Sequence, residues 1–171
     1  MNTAGVAASL ARLFAELVDG TAGFDGGYIV NTGDIGLVKS LDKLSAADAS
    51  RSTNDGATIA AHVQHERYGL SLMNRWAAEG GNPFDNAKWD EAWKIREVDA
   101  RAWDEIRNGF KDETSRWLEV LRTPREVSET ELNGLLASVA HFAYHLGAIR
   151  QIHKQARGPK EGTASTSPAS R

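Results

Sequence analysis

Apolar residues recur every three or four positions in four long segments of the sequence, and this helical periodicity restricts the possible folds more than any other feature. The segments run from about Val6 to Val18, from Ala57 to Ala78, from Val98 to Arg122 and from Ser128 to Gln155. No stretch alternates apolar and polar residues between hairpin turns, which is the pattern of a half-buried strand. The sequence therefore predicts an all-α protein in which four amphipathic helices form an antiparallel four-helix bundle.

Capping and turn residues mark the ends of these segments. Ser128 and Glu131 have the spacing of a capping box, which predicts a helix start at Ser128. The second helix is expected to stop at EGGNPFD, where glycines and a proline end helical hydrogen bonding. A long connection, with a helical turn around GDIGLVKSLDKL and a capped stretch from Ser45, separates the first two helices. The segment NAKWDEAWKI is interpreted as short helical or irregular, with Trp89 and Trp93 packed over the bundle.

Composition predicts one globular domain followed by a tail. The chain has 171 residues, of which 41% are hydrophobic and 25% are charged, and this suffices for the core of one domain. Residues 1–156 are assigned to the helical domain. Residues 157–171 are rich in Gly, Pro, Ser and Thr, with almost no apolar residue larger than Ala. We predict that this tail is disordered, because it cannot offset the entropy lost on ordering.

Charge and hydropathy argue against two classes of partner. The net charge is −3 at pH 7, and no Lys/Arg stripe is long enough to match a phosphate backbone. No apolar run approaches the roughly 20 residues that span a bilayer. The first segment also lacks the cationic start and continuous apolar core of a signal peptide. We therefore expect a cytoplasmic protein that binds neither nucleic acid nor membrane.

The chain contains no cysteine, so any metal ion must be held by nitrogen or oxygen atoms. His141 and His145 lie four residues apart in the apolar segment VAHFAYHLGAIRQIHK, which places both rings on one face of the fourth helix. Two interpretations have equal weight. Each ring could be an ordinary core histidine satisfied by a buried carbonyl or carboxylate, or the pair could bind a metal together with a third ligand from another helix.

The second helix offers two candidates for that third ligand. In TIAAHVQHERYGL, His62 falls near the middle of the apolar face, whereas His65 is displaced by about 60° toward its edge. His62 is therefore the predicted ligand, and His65 is interpreted as solvated or as a partner of a ligand. His153 is predicted to cap the fourth helix or to lie at the surface. Three neutral imidazoles suit Zn²⁺, Ni²⁺ or another divalent first-row ion, with at least one coordination position open.

These residues resemble the DinB/YfiT-like family of four-helix bundle metalloproteins. The resemblance rests on HFAYHLGAIRQ, on TIAAHVQHERYGL and on the helix order, and it covers nearly all of the chain except the tail. It implies the metal ligands His62, His141 and His145 and an up-down-down-up connectivity, with His65 as the rival for the first ligand. The chain departs from a common family motif, because Leu-Gly-Ala follows His145 where Arg-Gly-Gln is usual.

Family members of known activity include transferases that use low-molecular-weight thiols such as bacillithiol or mycothiol, and thiol-dependent isomerases. The resemblance thus implies a metal-dependent thiol S-transferase that acts on a small-molecule substrate. A metal-held thiolate would supply the nucleophile that this cysteine-free chain lacks. Tyr144 and Arg150 could orient an anionic thiol, although helical geometry points Tyr144 away from the histidine pair.

Two alternatives remain at this point. The first is hydrolysis, with metal-bound water as the nucleophile. The second is a non-catalytic metal- or ligand-binding bundle that forms a homodimer and acts in a stress response. Some of the five tryptophans could line a pocket or a subunit interface, although packing explains most of them.

Overall fold

A computed structural model describes residues 2–160, and all regular structure in this range is helical. The six α-helices are α1 (Ala7–Asp19), α2 (Gly36–Leu41), α3 (Ala46–Ala49), α4 (Ile59–Glu79), α5 (Ala100–Arg122) and α6 (Glu129–Ile152). Short 3₁₀ turns occur at Ala92–Lys94 and Lys154–Ala156. The prediction of an all-α protein is confirmed, and α1, α4, α5 and α6 correspond to the four predicted segments.

The long helices from α4 onward begin at polar caps. Thr58 accepts a hydrogen bond from the Ala61 amide before α4, and Asp99 accepts one from the Ala102 amide before α5. The predicted capping box before α6 is confirmed, because the Ser128 hydroxyl accepts from the Glu131 amide and the Glu131 carboxylate accepts from the Ser128 amide. Such caps each stabilise a helix by about 1 kcal/mol.

The four long helices pack in a ring. Helix α1 contacts α5 and α6, and α4 contacts the same two helices. At the centre, the ring of Phe142 lies 5.0 Å from that of Phe14 and 5.7 Å from that of Phe110, measured between centroids. All three side chains are fully buried, and burial of each contributes roughly 1.5–3 kcal/mol. This cluster joins α1, α5 and α6 and fixes the position of α6.

Helix α6 ends at Ile152, three residues before the predicted end near Gln155. His153 adopts an extended backbone, and its Nδ1 atom accepts a hydrogen bond from the Gln155 amide. His153 is the C-cap residue of α6, as predicted, and its backbone N–H donates to the Ile149 carbonyl oxygen. The ring is buried and lies 3.3 Å from a carboxylate oxygen of Asp48. It caps the following 3₁₀ turn and does not lie at the surface.

The predicted tail falls largely outside the described residues, because only residues 157–160 of it are described. In that part, Nε of Arg157 donates a hydrogen bond to the carbonyl oxygen of Arg150, at 3.0 Å. None of the helices in residues 2–160 combines the length and hydropathy needed to cross a bilayer. The segment between α4 and α5 folds back so that its 3₁₀ turn packs on α4, and this contact covers the site described next.

Candidate metal centre

Four histidines meet where α4 packs against α6. His62 and His65 come from α4, and His141 and His145 come from α6. Nε2 of His141 lies 3.1 Å from Nε2 of His145 and 3.4 Å from Nε2 of His65. His65, His141 and His145 can each offer one ligand atom, and these three atoms lie within 4.8 Å of one another. This triad could hold a metal ion.

The spacing of the triad fits a small divalent ion. Metal–nitrogen bonds of about 2.0–2.1 Å in a tetrahedral site place neighbouring ligand nitrogens about 3.3–3.4 Å apart. The two Nε2 separations, 3.1 Å and 3.4 Å, are close to that value. The donor set consists of imidazoles without thiolates, which suits Zn²⁺ and Ni²⁺ among other first-row ions.

His62 lies beside the triad. Its Nδ1 atom is 2.9 Å from Nδ1 of His145, the ring nitrogen opposite the one that faces His141. His65 is only 8% exposed, whereas His62 is half-buried. The geometry therefore favours His65 as the third member, in place of the predicted His62. Periodicity predicted the opposite order of burial for the two rings. It reflects only the apolar face of α4, and not the later segment that packs over His65.

Trp93 provides the cover that buries His65. Its ring stacks on the ring of His65 with centroids 4.4 Å apart, and it lies 5.9 Å from the ring of His145. The ring of His62 lies edge-on to the same indole, with centroids 5.5 Å apart. The prediction that this tryptophan packs over the helices is confirmed. Its contact with three of the four histidines shields one side of the cluster from water.

Glu66 is a further member of the site that the sequence-based predictions do not include. The side chain is 2% exposed, and Oε1 lies 2.9 Å from Nδ1 of His141 and 3.6 Å from Nε2 of His145. Neither contact has hydrogen-bond geometry, so Oε1 has no hydrogen-bond partner among the described residues, and the same holds for buried Nδ1 of His65. A signal was available: Glu66 is a carboxylate that follows His62 by four residues on a helix with an apolar face.

The electrostatics of the cluster keep most of its imidazoles neutral. Burial, reinforced by the neighbouring histidines, lowers the pKa of His65 to about 4 and that of His145 to about 3. Burial also lowers the pKa of His62. These rings are therefore in the neutral form that coordinates metal ions at neutral pH.

His141 and Glu66 form the part of the cluster that keeps a proton. Contact with Glu66 raises the pKa of His141. Burial raises the pKa of Glu66, and the opposing effect of His141 is smaller. Both shifts favour a proton within this pair. In neutral His141, a proton on Nδ1, the atom that faces Glu66, leaves Nε2 free to bind a metal ion.

Two other residues considered from the sequence lie outside the triad. Tyr144 is 69% exposed, and the edge of its ring meets the ring of His145 at 4.9 Å. Arg150 is paired with Asp34, at 2.8 Å, away from the histidines. Neither side chain therefore approaches the Nε2 atoms at the centre of the site.

Comparison of the chain with protein-family models, with curated proteins and with solved structures found no match. The candidate metal centre consequently rests on the geometry of its own residues, and the resemblance to DinB/YfiT-like proteins stays a prediction.

Proposed function

We propose that the protein is a metal-dependent enzyme, a thiol S-transferase of the DinB/YfiT-like kind, with a site formed by His65, His141 and His145. The observation that supports the metal site is the pair of Nε2 separations, 3.1 Å and 3.4 Å, which are close to the ligand spacing of a tetrahedral site. All three ligand atoms lie within 4.8 Å of one another. The proposed ion is Zn²⁺ or Ni²⁺, and a low-molecular-weight thiol is the proposed cosubstrate.

The proposal extends to the architecture. Up-down-down-up connectivity of a four-helix bundle is part of it, supported by the ring in which α1 and α4 each contact α5 and α6. A cytoplasmic location is proposed from the charge and hydropathy of the sequence. A homodimer with a role in a stress response belongs to the alternative proposal, a non-catalytic metal- or ligand-binding bundle.

Neighbouring side chains would orient the ligands. If Nε2 of His145 binds the ion, Nδ1 of His145 carries the proton and donates a hydrogen bond to Nδ1 of His62, 2.9 Å away. Nδ1 of His141 then carries a proton toward Oε1 of Glu66, 2.9 Å away. His62 and Glu66 thus fix the tautomers of two ligands, and this explains His62 without making it a ligand.

The reaction would use an open coordination position. When bound, the ion supplies a Lewis acid that holds a thiol as thiolate near neutral pH. Trp93 shields one side of the histidine cluster from water. The carboxylate of Glu66, whose pKa burial raises, would accept the proton that the thiol releases.

Metal analysis tests the site. Untagged protein, purified without added metal, should contain about one divalent ion per chain by elemental analysis. His65→Ala, His141→Ala and His145→Ala should each lose stoichiometric Zn²⁺ binding, whereas His62→Ala should bind about 10- to 100-fold more weakly. His153→Ala is the matched control, because this histidine lies outside the cluster. Tight binding in His65→Ala with loss in His62→Ala would restore His62 as the ligand.

A turnover assay tests the activity. The metal-loaded protein is incubated with an electrophile and several cellular thiols, and conjugate formation is followed. Conjugation that requires both metal and thiol supports the transferase. Hydrolysis of the electrophile without thiol would indicate a hydrolase, and absence of both reactions would favour a non-catalytic binding protein.

A further inference from the structure

A cavity of about 240 Å³ opens beside the candidate metal centre, between α4, α6 and the segment that follows α4. His141 and Glu66 lie at one end of it. The remaining walls are formed by Gly69, Leu70, Met73, Phe84, Trp89, Gly134, Ala137 and Ser138. The cavity is therefore next to His141, one of the three proposed metal ligands, and next to Glu66, which contacts His141.

The walls of this cavity are apolar in chemistry. Ser138 is the only hydroxyl among them, and its hydrogen bonds are used within the protein. The hydroxyl donates to the Leu135 carbonyl oxygen at 2.7 Å and accepts from the indole N–H of Trp117 at 2.9 Å. Apart from the indole N–H of Trp89, the remaining polar side-chain atoms of the lining belong to Glu66 and His141.

The shape of the cavity favours a flat group. The rings of Phe84 and Trp89 are nearly parallel, with an interplanar angle of 12° and centroids 6.3 Å apart, so they form one wall of aromatic surface. On α6, Ala137 lines the cavity with a small side chain, and Gly134 accommodates the ring of Trp76. An apolar cavity of roughly 150 Å³ accepts benzene, so this one has space for a ring that carries a short substituent or for two fused rings.

The cavity also disfavours anions. No lysine or arginine within residues 2–160 lines it, and the Glu66 carboxyl is buried at its end. An anion placed there would lose hydration without gaining a cationic partner. In contrast, the carboxyl group of Glu66 lines the cavity and offers a hydrogen-bonding partner to a neutral ligand.

We propose that this cavity is the binding site for the neutral, ring-bearing part of the small-molecule substrate, with the polar end of that substrate directed at His141 and Glu66. The assignment of the ligand as a substrate rests on the proposed function. Binding of the ring depends only on the cavity and requires no metal ion.

The test uses indole as a neutral probe and indole-3-carboxylate as its anionic counterpart, with calorimetric titration of the full chain. Indole should bind at least tenfold more tightly than the carboxylate. Ala137→Leu, a change at an exposed helical position that lines the cavity, should weaken indole binding at least tenfold while Zn²⁺ binding stays unchanged. Ala140→Leu is the matched control, because Ala140 is exposed on the same helix outside the cavity, and should bind indole as the parent does.

The outcomes separate this inference from the proposed function. Indole binding that persists in His145→Ala, together with loss of Zn²⁺, supports a cavity that acts independently of the metal. Equal affinity for both probes, or unchanged indole affinity in Ala137→Leu, would overturn the proposal whatever the turnover assay gives. A cavity that binds indole in a protein that conjugates no thiol would leave the binding site standing and refute the transferase.

Discussion

Two buried carboxylates, Glu16 in α1 and Glu66 in α4, occupy opposite chemical situations. Glu16 is fully buried and accepts hydrogen bonds from the backbone amides of Tyr28, Ile29 and Val30 at 2.9, 2.6 and 2.7 Å. Arg12 also lies 3.4 Å from it. Glu66 is buried to the same degree, yet its Oε1 atom has ion-pair distances to His141 and His145 and no hydrogen-bond partner among the described residues.

The difference separates a structural carboxylate from one that belongs to a site. Burial by itself raises the pKa of either group. For Glu16, the backbone amides and Arg12 outweigh burial, and the pKa is lowered. For Glu66, burial prevails and the pKa is raised. A buried polar atom without a partner costs free energy, and such groups concentrate at functional sites.

The largest expected effect is on stability, from Glu16→Ala. Three backbone amides would lose their acceptor, and the loop over Glu16 would lose what holds it. The free energy of unfolding should fall by about 2–3 kcal/mol, less than the sum for three fully buried amides, because the exposed loop can open to water. Urea unfolding measures it. Glu16→Gln, which keeps one acceptor oxygen, should cost less, and a loss below about 0.5 kcal/mol in Glu16→Ala would refute the structural role.

The next effect is on metal affinity, from Glu66→Gln. The amide keeps the volume of the carboxylate but removes the charge that faces Nδ1 of His141. Zn²⁺ affinity should fall by about 10- to 100-fold, as for other groups that orient a ligand histidine. Competition with a chromogenic chelator measures it. Glu16→Gln is the control and should bind Zn²⁺ as the parent does. Equal losses of affinity in the two variants would show that Glu66 has no specific role at the metal site.

Local sequence patterns predict the helices and two of the four histidines of the site, His141 and His145. The four-residue spacing of His141 and His145 is a property of one helix, so it is visible before folding. The choice between His62 and His65 is different, because the ring that covers His65 belongs to Trp93 in a separate segment. Periodicity within α4 cannot register that contact.

The two carboxylates illustrate the same limit. Glu16 looks like a solvated position on an amphipathic helix until a loop more than ten residues later supplies its three amides. Glu66 is adjacent to His65 in sequence, but its role follows from a contact with His141, on another helix. Pairings between distant segments determine whether a buried charge is satisfied. The position of Glu66 four residues after His62 marks it as a candidate, but its contact with His141 appears only in the folded chain.

The smallest expected effect is on the pH dependence of stability in the metal-free protein, where the two carboxylates should act in opposite directions. The pKa of Glu16 in the folded state lies below the ordinary value of 4.5, so its contribution to stability is present above pH 4.5 and is lost as the pH falls through the folded pKa. The pKa of Glu66 lies above 4.5, so the folded state holds a proton that the unfolded state has released, and stability declines as the pH rises from 4.5 through the folded pKa.

Glu16→Gln should therefore flatten the loss of stability in acid, and Glu66→Gln should remove the decline toward neutral pH. His65 and His145, with lowered pKa values, destabilise the folded state as the pH falls below about 6.5 in both variants, and urea midpoints are compared at matched pH. The raised pKa of His141 depends on Glu66, so the decline in stability that it causes above about pH 6.5 should also be removed in Glu66→Gln. If both substitutions changed the pH profile in the same direction, the contacts assigned to Glu66 would be wrong, since a pKa raised in the folded state gives the opposite sign to the lowered pKa of Glu16.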